Sequence, residues 1–286
     1  MAYFLVSTEG LPDRLWFRTR EDFAAGMNYA AICSRKAGVI ILAFVLMSNH
    51  VHFVLRCTFQ EAKAFIDMFK SLFSRYCRKK YGIVELLRNN SADIREIETK
   101  NESLEKAIAY VMMNPVSANI CLSPSQYPWG SGAVCFSETT ISGTMLGKLS
   151  YRKQVALIHS NVKLPAAYML SIDGYIHPSS YIPVKEVEAI FRSPKRLNYF
   201  LMRSSKARKD ESTTPSFRDQ IILAAAGDLC ISLFRKNSIT ELSPPQMADL
   251  LRQLRFRFSA DMAQLARIVG IPYNKATQLM DDFPDS

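Results

Sequence analysis

Two of the chain's four histidines, His50 and His52, stand one residue apart in the stretch MSNHVHFVL. On a strand, residues i and i+2 share a face, so both imidazoles project side by side while Val51 turns the other way. Two neutral imidazoles on one rigid strand can hold a divalent cation. On the H-x-H alone, two half-exposed polar residues on an amphipathic strand explain the pattern as well. A second pair lies downstream in NESLEKAIAYVMMNP. Leu104, Ala107, Ile108 and Val111 form an apolar helical stripe, and Tyr110 and Asn114 flank it only about 40° apart. Asn114 offers a hard amide oxygen beside two imidazoles, a donor set that suits Mg²⁺ or Mn²⁺ better than a thiolate-loving zinc site. Tyr110 can reach a cleft from there, or it can be a packing tyrosine with a satisfied hydroxyl. Asn114 precedes Pro115, which biases it away from helical geometry. The shared face therefore requires the helix to run that far.

The elements that must position these groups read as alternating strands and helices. YFLVS (residues 3–7) has the look of a first strand, and Leu15–Arg18 of a short second piece. A helix is expected over Thr19–Lys36, with Thr19 as its cap and Glu21 and Asp22 in its first turn. Val39–Met47 and Val51–Arg56 read as neighbouring strands joined tightly at Ser48-Asn49. Gln60–Tyr81 is an amphipathic helix with Ala62, Phe65, Ile66, Phe69, Leu72, Phe73 and Tyr76 on one stripe. Ile94–Thr99 is a further strand, and Glu102–Asn114 a helix closed by Pro115. This order predicts an α+β fold, a ferredoxin-like antiparallel sheet with helices on one face, over residues 1–135. Residues 136–204 read as a mixed, turn-rich extension, and 204–216 as a polar linker. From 205 to 286 the chain reads as a small all-α domain. Within it, SADMAQLARIVGIPYNKATQLMDD looks like a helix-turn-helix, with Ser259 as cap, Leu265 and Val269 inside, Gly270 in the turn and Pro272 opening the second helix.

The chain has 286 residues, 48% of them hydrophobic, which excludes a disordered tail protein and a disulfide miniprotein. Six cysteines without C-x-x-C spacing read as reduced, small hydrophobes. The longest apolar stretch, Ala37–Met47, is far shorter than the ~20 residues a bilayer span requires. No basic segment precedes the first apolar run, so the expectation is a cytoplasmic protein without a membrane partner. The net charge of +10 points to a polyanion. It is locally sharp on the second helix, where Lys70, Arg75, Arg78, Lys79 and Lys80 could grip phosphates; a solvated helix face is the plain alternative. Arg255 and Arg257, ahead of the helix-turn-helix, could touch phosphates too, whereas Asp281 and Asp282 suit a DNA groove poorly.

Together, MSNHVHFVL, then A-x-x-Y-V-x-x-N-P-V, then Y-P-W-x-S resemble the single-tyrosine HUH transposases, most closely the branch associated with REP elements. The resemblance covers about residues 1–135. It implies His50, His52 and Asn114 as ligands of Mg²⁺ or Mn²⁺ and Tyr110 as nucleophile. It also implies cleavage and rejoining of single-stranded DNA, next to a hairpin, through a 5′-phosphotyrosine. A homodimer is compatible with it. HPSSYIPVKEVEAIF (residues 177–191) and the helical C-terminus resemble an extended subgroup. Ser117 and Asn119 stand where the family often has Arg and Gly, and the Trp-containing segment usual before the catalytic helix is absent. Both departures bear on DNA preference or on retained mobility rather than on the chemistry. Two rivals are a domesticated DNA-binding protein or repressor, which would bind without cutting, and a hydrolytic nuclease using water.

Overall fold

The computed structural model describes residues 1–84, 86–87, 89–137, 143–204 and 219–283. The linker expected over 204–216 falls, apart from Ser204, outside them.

The first part of the chain runs β1 (Ala2–Thr8), α1 (Arg20–Ala37), β2 (Ile40–Leu46), β3 (Val51–Cys57), α2 (Phe59–Tyr81), β4 (Ala92–Ile97) and α3 (Ser103–Ser117). The four strands form one sheet in the order β2-β3-β1-β4, every neighbouring pair antiparallel. Two β-α-β units thus interlock, each leaving room for a strand of the other. Thr19 and Asp22 close a capping box at the start of α1, and Thr58 and Glu61 do the same for α2. Leu15–Arg18 is not a strand: Trp16 and Phe17 are buried in an irregular loop whose backbone N–H groups both donate to the Ser48 carbonyl.

One-faced helical cover does not hold. Phe53 of β3 meets Phe65 and Phe69 of α2, whereas His52, pointing the opposite way, meets Tyr110 of α3. Thus α1 and α2 cover one face and α3 packs across β2 and β3 on the other. The cause is composition: β2 and β3 are apolar at successive positions, with only Ile40 and Arg56 escaping full burial, and a sheet apolar on both faces needs cover on both. Nor does Pro115 end α3, which continues to Ser117. A proline's fixed φ is compatible with helix; the cost is the hydrogen bond that its missing N–H cannot give to the Val111 carbonyl.

The Tyr127–Ser131 segment explains its own motif. The Tyr127 hydroxyl donates to the Leu46 carbonyl at 2.7 Å, Leu46 N–H donates to the Trp129 carbonyl, and the Ser131 hydroxyl accepts from Phe44 N–H. Trp129 stacks on Phe23 with ring centroids 4.9 Å apart. Gly130 is required by this approach, since a Cβ there would lie 2.8 Å from the Phe44 carbonyl oxygen. The segment covers the otherwise open edge of β2.

The rest of the chain adds β5 (Gly143–Met145), α4 (Tyr151–Ile158), β6 (Met169–Ser171), α5 (Val184–Phe191) and α6 (Pro194–Ser204). Leu146, Ile158, Ile176, Tyr181, Phe191 and Phe200 from this stretch join the same hydrophobic core as the sheet. Helix α6 packs along α3, and Arg196 bonds both Glu102 and Glu105 at the start of α3. A second core belongs to α7 (Asp219–Phe234), α8 (Pro244–Phe258), α9 (Met262–Val269) and α10 (Tyr273–Asp282). Leu265, Ala266 and Val269 are buried there, and Gly270 turns the chain with φ 77°. Asp261, not Ser259, caps α9 by accepting from Gln264 N–H; Ser259 instead sits in the left-handed cap that ends α8.

Candidate active site

The two histidines emerge from a tight turn. Met47 N–H donates to the His50 carbonyl, closing Met47–His50, and Leu11 N–H donates to the Asn49 carbonyl. His52 lies on β3 opposite Ser7 of β1, on the face that α3 covers. The imidazole centroids are 4.8 Å apart. Tyr110, 47% exposed, sets its ring edge-on to His52 at 5.5 Å. Its hydroxyl makes no hydrogen bond to a described residue. Asn114, one turn on, brings its Oδ1 to 3.4 Å from His50 Nε2. All four residues thus meet at one place between β3 and α3.

The hydrogen bonds around the rings decide which nitrogens are free. Asn49 donates its Nδ2–H to the Leu11 carbonyl, which turns its Oδ1 toward His50 Nδ1 at 2.8 Å. His50 Nδ1 must therefore carry the proton, and Nε2 presents a lone pair to the Asn114 oxygen. His52 Nδ1 is likewise 2.8 Å from the Ser7 hydroxyl, which can accept its proton and free Nε2. Burial pushes the His52 pKa down to about 3, with His50 adding to the effect. Burial also lowers His50, as does the charge of Arg267, while Asn114 opposes the shift. Both rings are neutral at neutral pH, the form that binds metal.

Two acceptors facing each other without a proton between them form a place for a cation. The residues present therefore fit a divalent cation held by two nitrogens and one oxygen. Among the described residues no cluster of three His, Cys, Asp or Glu side chains offers a competing site.

Other expected contacts are distributed differently. Helix α2 lies on the sheet face away from the histidines. Lys70 donates to the Asn90 carbonyl at 3.0 Å, and Lys80 lies 2.7 Å from Asp22, a fully buried carboxylate that also accepts from the Tyr76 and Tyr81 hydroxyls. Both lysines are held by internal partners, which a phosphate would have to compete with. Arg75, Arg78 and Lys79 are exposed on α2, and Arg255 and Arg257 are exposed at the end of α8. No contact among the described residues joins any of the five to the histidine group.

The sequence did not disclose the helical C-terminal part beside the turn. The Asp219 carboxylate accepts from the Ser48 hydroxyl at 2.6 Å and from Gln264 Nε2 at 2.8 Å, with Arg267 at 3.8 Å. Nor did it disclose Ser7 and Asn49 as the groups that orient the rings. Asn49 had a local signal, its place beside His50; Ser7 and Asp219 are joined to the site only by folding. Among the described residues no helix is long and apolar enough to cross a membrane.

No family model matches the chain, and no curated protein matches it. Among solved structures, a REP-associated tyrosine transposase bound to a REP hairpin is similar over 46% of this chain and 76% of that chain, at 15% identity and a TM-score of 0.35, an overlap too loose to assign fold or family.

Proposed function

We propose that this chain is a single-tyrosine HUH strand transferase on a ferredoxin-like core, acting on single-stranded DNA beside a hairpin. The observation that carries the reading is the convergence of two neutral imidazoles and an amide oxygen next to an exposed tyrosine whose hydroxyl is bound by no described residue. A plain DNA-binding protein has no physical need for that set.

In this reading His50, His52 and Asn114 hold Mg²⁺ or Mn²⁺. The bound cation would polarise a phosphate and offset the charge that builds in the transition state. Asn49 keeps the His50 proton on Nδ1, and a Ser7 hydroxyl that accepts from His52 Nδ1 leaves that ring's Nε2 lone pair available as well. Tyr110 Oη attacks the phosphorus in line. The bond from phosphorus to the 3′ oxygen breaks, and the proton lost by the phenol is made up on that oxygen as a free 3′-hydroxyl. The 5′-phosphotyrosine keeps the energy of the broken phosphodiester, so a 3′-hydroxyl can reverse the step without ATP. The edge-on His52 ring holds the phenol at the mouth of the site, and α6, through Arg196 on Glu102 and Glu105, steadies the helix that carries it.

The C-terminal helices are proposed as a helix-turn-helix unit for DNA contact. Its dock on Ser48 through Asp219 couples that contact to the histidine turn. The test is a denaturing gel of the protein mixed with labelled hairpin oligonucleotides and Mg²⁺ or Mn²⁺. A protease-sensitive slow band, lost in Tyr110→Phe and His50→Ala, is expected. The same band persisting in Tyr110→Phe overturns the assignment of the nucleophile.

A further inference from the structure

On the far side of the α1–α2 layer from the histidines lies an open groove of about 1050 Å³, walled by α1, α2 and the segment from α4 to Val162. Its floor is apolar and aromatic, with Ile32, Met68, Leu72 and Tyr29. Lys36 from the end of α1 and Arg75 and Lys79 from α2 line it, and no Asp or Glu does. All three cations are exposed and form no ion pair with a described residue. The lysines of α2 that do have partners, Lys63, Lys70 and Lys80, stand outside the lining. A concave surface with three uncompensated cations and no acid selects for an anion.

The rim adds a second chemistry. His159 ends α4 in the left-handed conformation, φ 51°, an uncommon state for a residue other than glycine. That conformation sets its exposed ring 5.5 Å from Tyr76, whose hydroxyl is anchored on Asp22. Partial burial and the nearby Lys79 and Lys80 charges lower its pKa, which keeps the ring neutral. A neutral, exposed imidazole backed by a fixed tyrosine is a stacking surface for a flat ring. Arg75 and Lys79 are one helical turn apart, about 6 Å along the axis. They can address separate phosphates rather than one.

We propose that this groove binds a stretch of single-stranded nucleic acid, with phosphates on Lys36, Arg75 and Lys79 and a base on His159. One wall of the groove comes from the extension beyond residue 135, which gives α4 a role. The sheet and its helices separate it from Tyr110, so a strand bound here is held, not cut. The inference does not rest on strand transfer, and its readout is binding in the absence of divalent metal.

The experiment titrates a fluorescent oligothymidylate into the full chain in EDTA at several salt concentrations. For single strands the slope of log K on log salt is about −0.7 per phosphate contacted. The variant Lys36→Gln/Arg75→Gln/Lys79→Gln should therefore flatten the slope by about 2 and weaken binding at least tenfold near 0.1 M salt. His159→Ala should weaken binding roughly fivefold or more at an unchanged slope. Lys153→Gln, a charge loss on α4 outside the groove, should change the slope by less than either measurement can mistake for the triple variant. Unchanged slope and affinity in the triple variant, with its melting temperature preserved, overturns the proposal. So does inorganic phosphate or a mononucleotide competing as well as the oligonucleotide, which would mark a site for a compact anion. Loss of covalent attachment in Tyr110→Phe leaves these outcomes untouched, so the two readings fail separately.

Discussion

Asn49→Ala probes the site through a residue that would touch neither metal nor DNA. In the native chain Asn49 accepts the His50 Nδ1 proton at 2.8 Å and is held in that orientation by its own 3.1 Å bond to the Leu11 carbonyl. Removing the carboxamide lets the His50 proton exchange between its nitrogens and lets the ring turn, so Nε2 is no longer always bare toward Asn114. Losing such an orienting partner typically costs 10–100-fold in metal affinity, about 1.4–2.8 kcal/mol. The assay is calorimetric titration of Mn²⁺ into wild type and variant. Asn49→Asp separates two causes. It keeps an acceptor for His50 but loses the donor to Leu11. If the ring is what matters, Asp retains or raises affinity while Ala loses it. Equal losses in both variants would place the effect in the Leu11 loop, and unchanged affinity in Asn49→Ala would refute the tautomer argument.

Two further outcomes follow from burial and charge. Lys80→Ala removes the cation beside the wholly buried Asp22 carboxylate but leaves it the Tyr76 and Tyr81 hydroxyls and the Arg18 and Thr19 N–H groups, so it should cost about 1–2 kcal/mol in urea unfolding; a change near zero would show that the remaining donors suffice. For acid stability, the folded His52 pKa is lowered to about 3 from an ordinary 6.5. Below pH 6.5 the unfolded chain takes up a proton that the folded chain refuses, so stability is full above 6.5 and falls as pH drops toward 3. His52→Gln should remove part of that slope, and an identical slope in the variant would contradict the buried, neutral ring.

The fold was legible where periodicity was strong. The helix expected over Gln60–Tyr81 from its apolar stripe matches α2 to within a residue, and the apolar runs around Ser48-Asn49 match β2 and β3. Those same runs, apolar at nearly every position with only His52 and Arg56 polar, carried the information that both faces of the sheet are covered, and alternation-based reading overlooks it. Pro115 misled because a proline penalises a helix without forbidding one; packing of Val111, Met112 and Val116, all buried, outweighs the lost hydrogen bond. His50, His52, Tyr110 and Asn114 could be named from type and spacing. Their orienting partners could not, because Ser7 reaches His52 only through strand register and Asp219 reaches Ser48 across 171 residues. Charge density misled too: Lys70 and Lys80 count toward a basic helix in sequence but are spent on Asn90 and Asp22 in the fold.

The most direct measurement is the site of DNA attachment. The protein is incubated with a hairpin-flanked single strand and Mn²⁺, digested with trypsin and nuclease, and sequenced by mass spectrometry. The peptide following Lys106 contains both Tyr110 and Tyr127, so fragmentation must separate an exposed tyrosine from one buried with its hydroxyl on the Leu46 carbonyl. The account predicts a nucleotide phosphate on Tyr110 alone, dependent on His50 and His52. A phosphate on another residue, or strand cleavage that leaves free 5′-phosphate ends and no adduct, would contradict it.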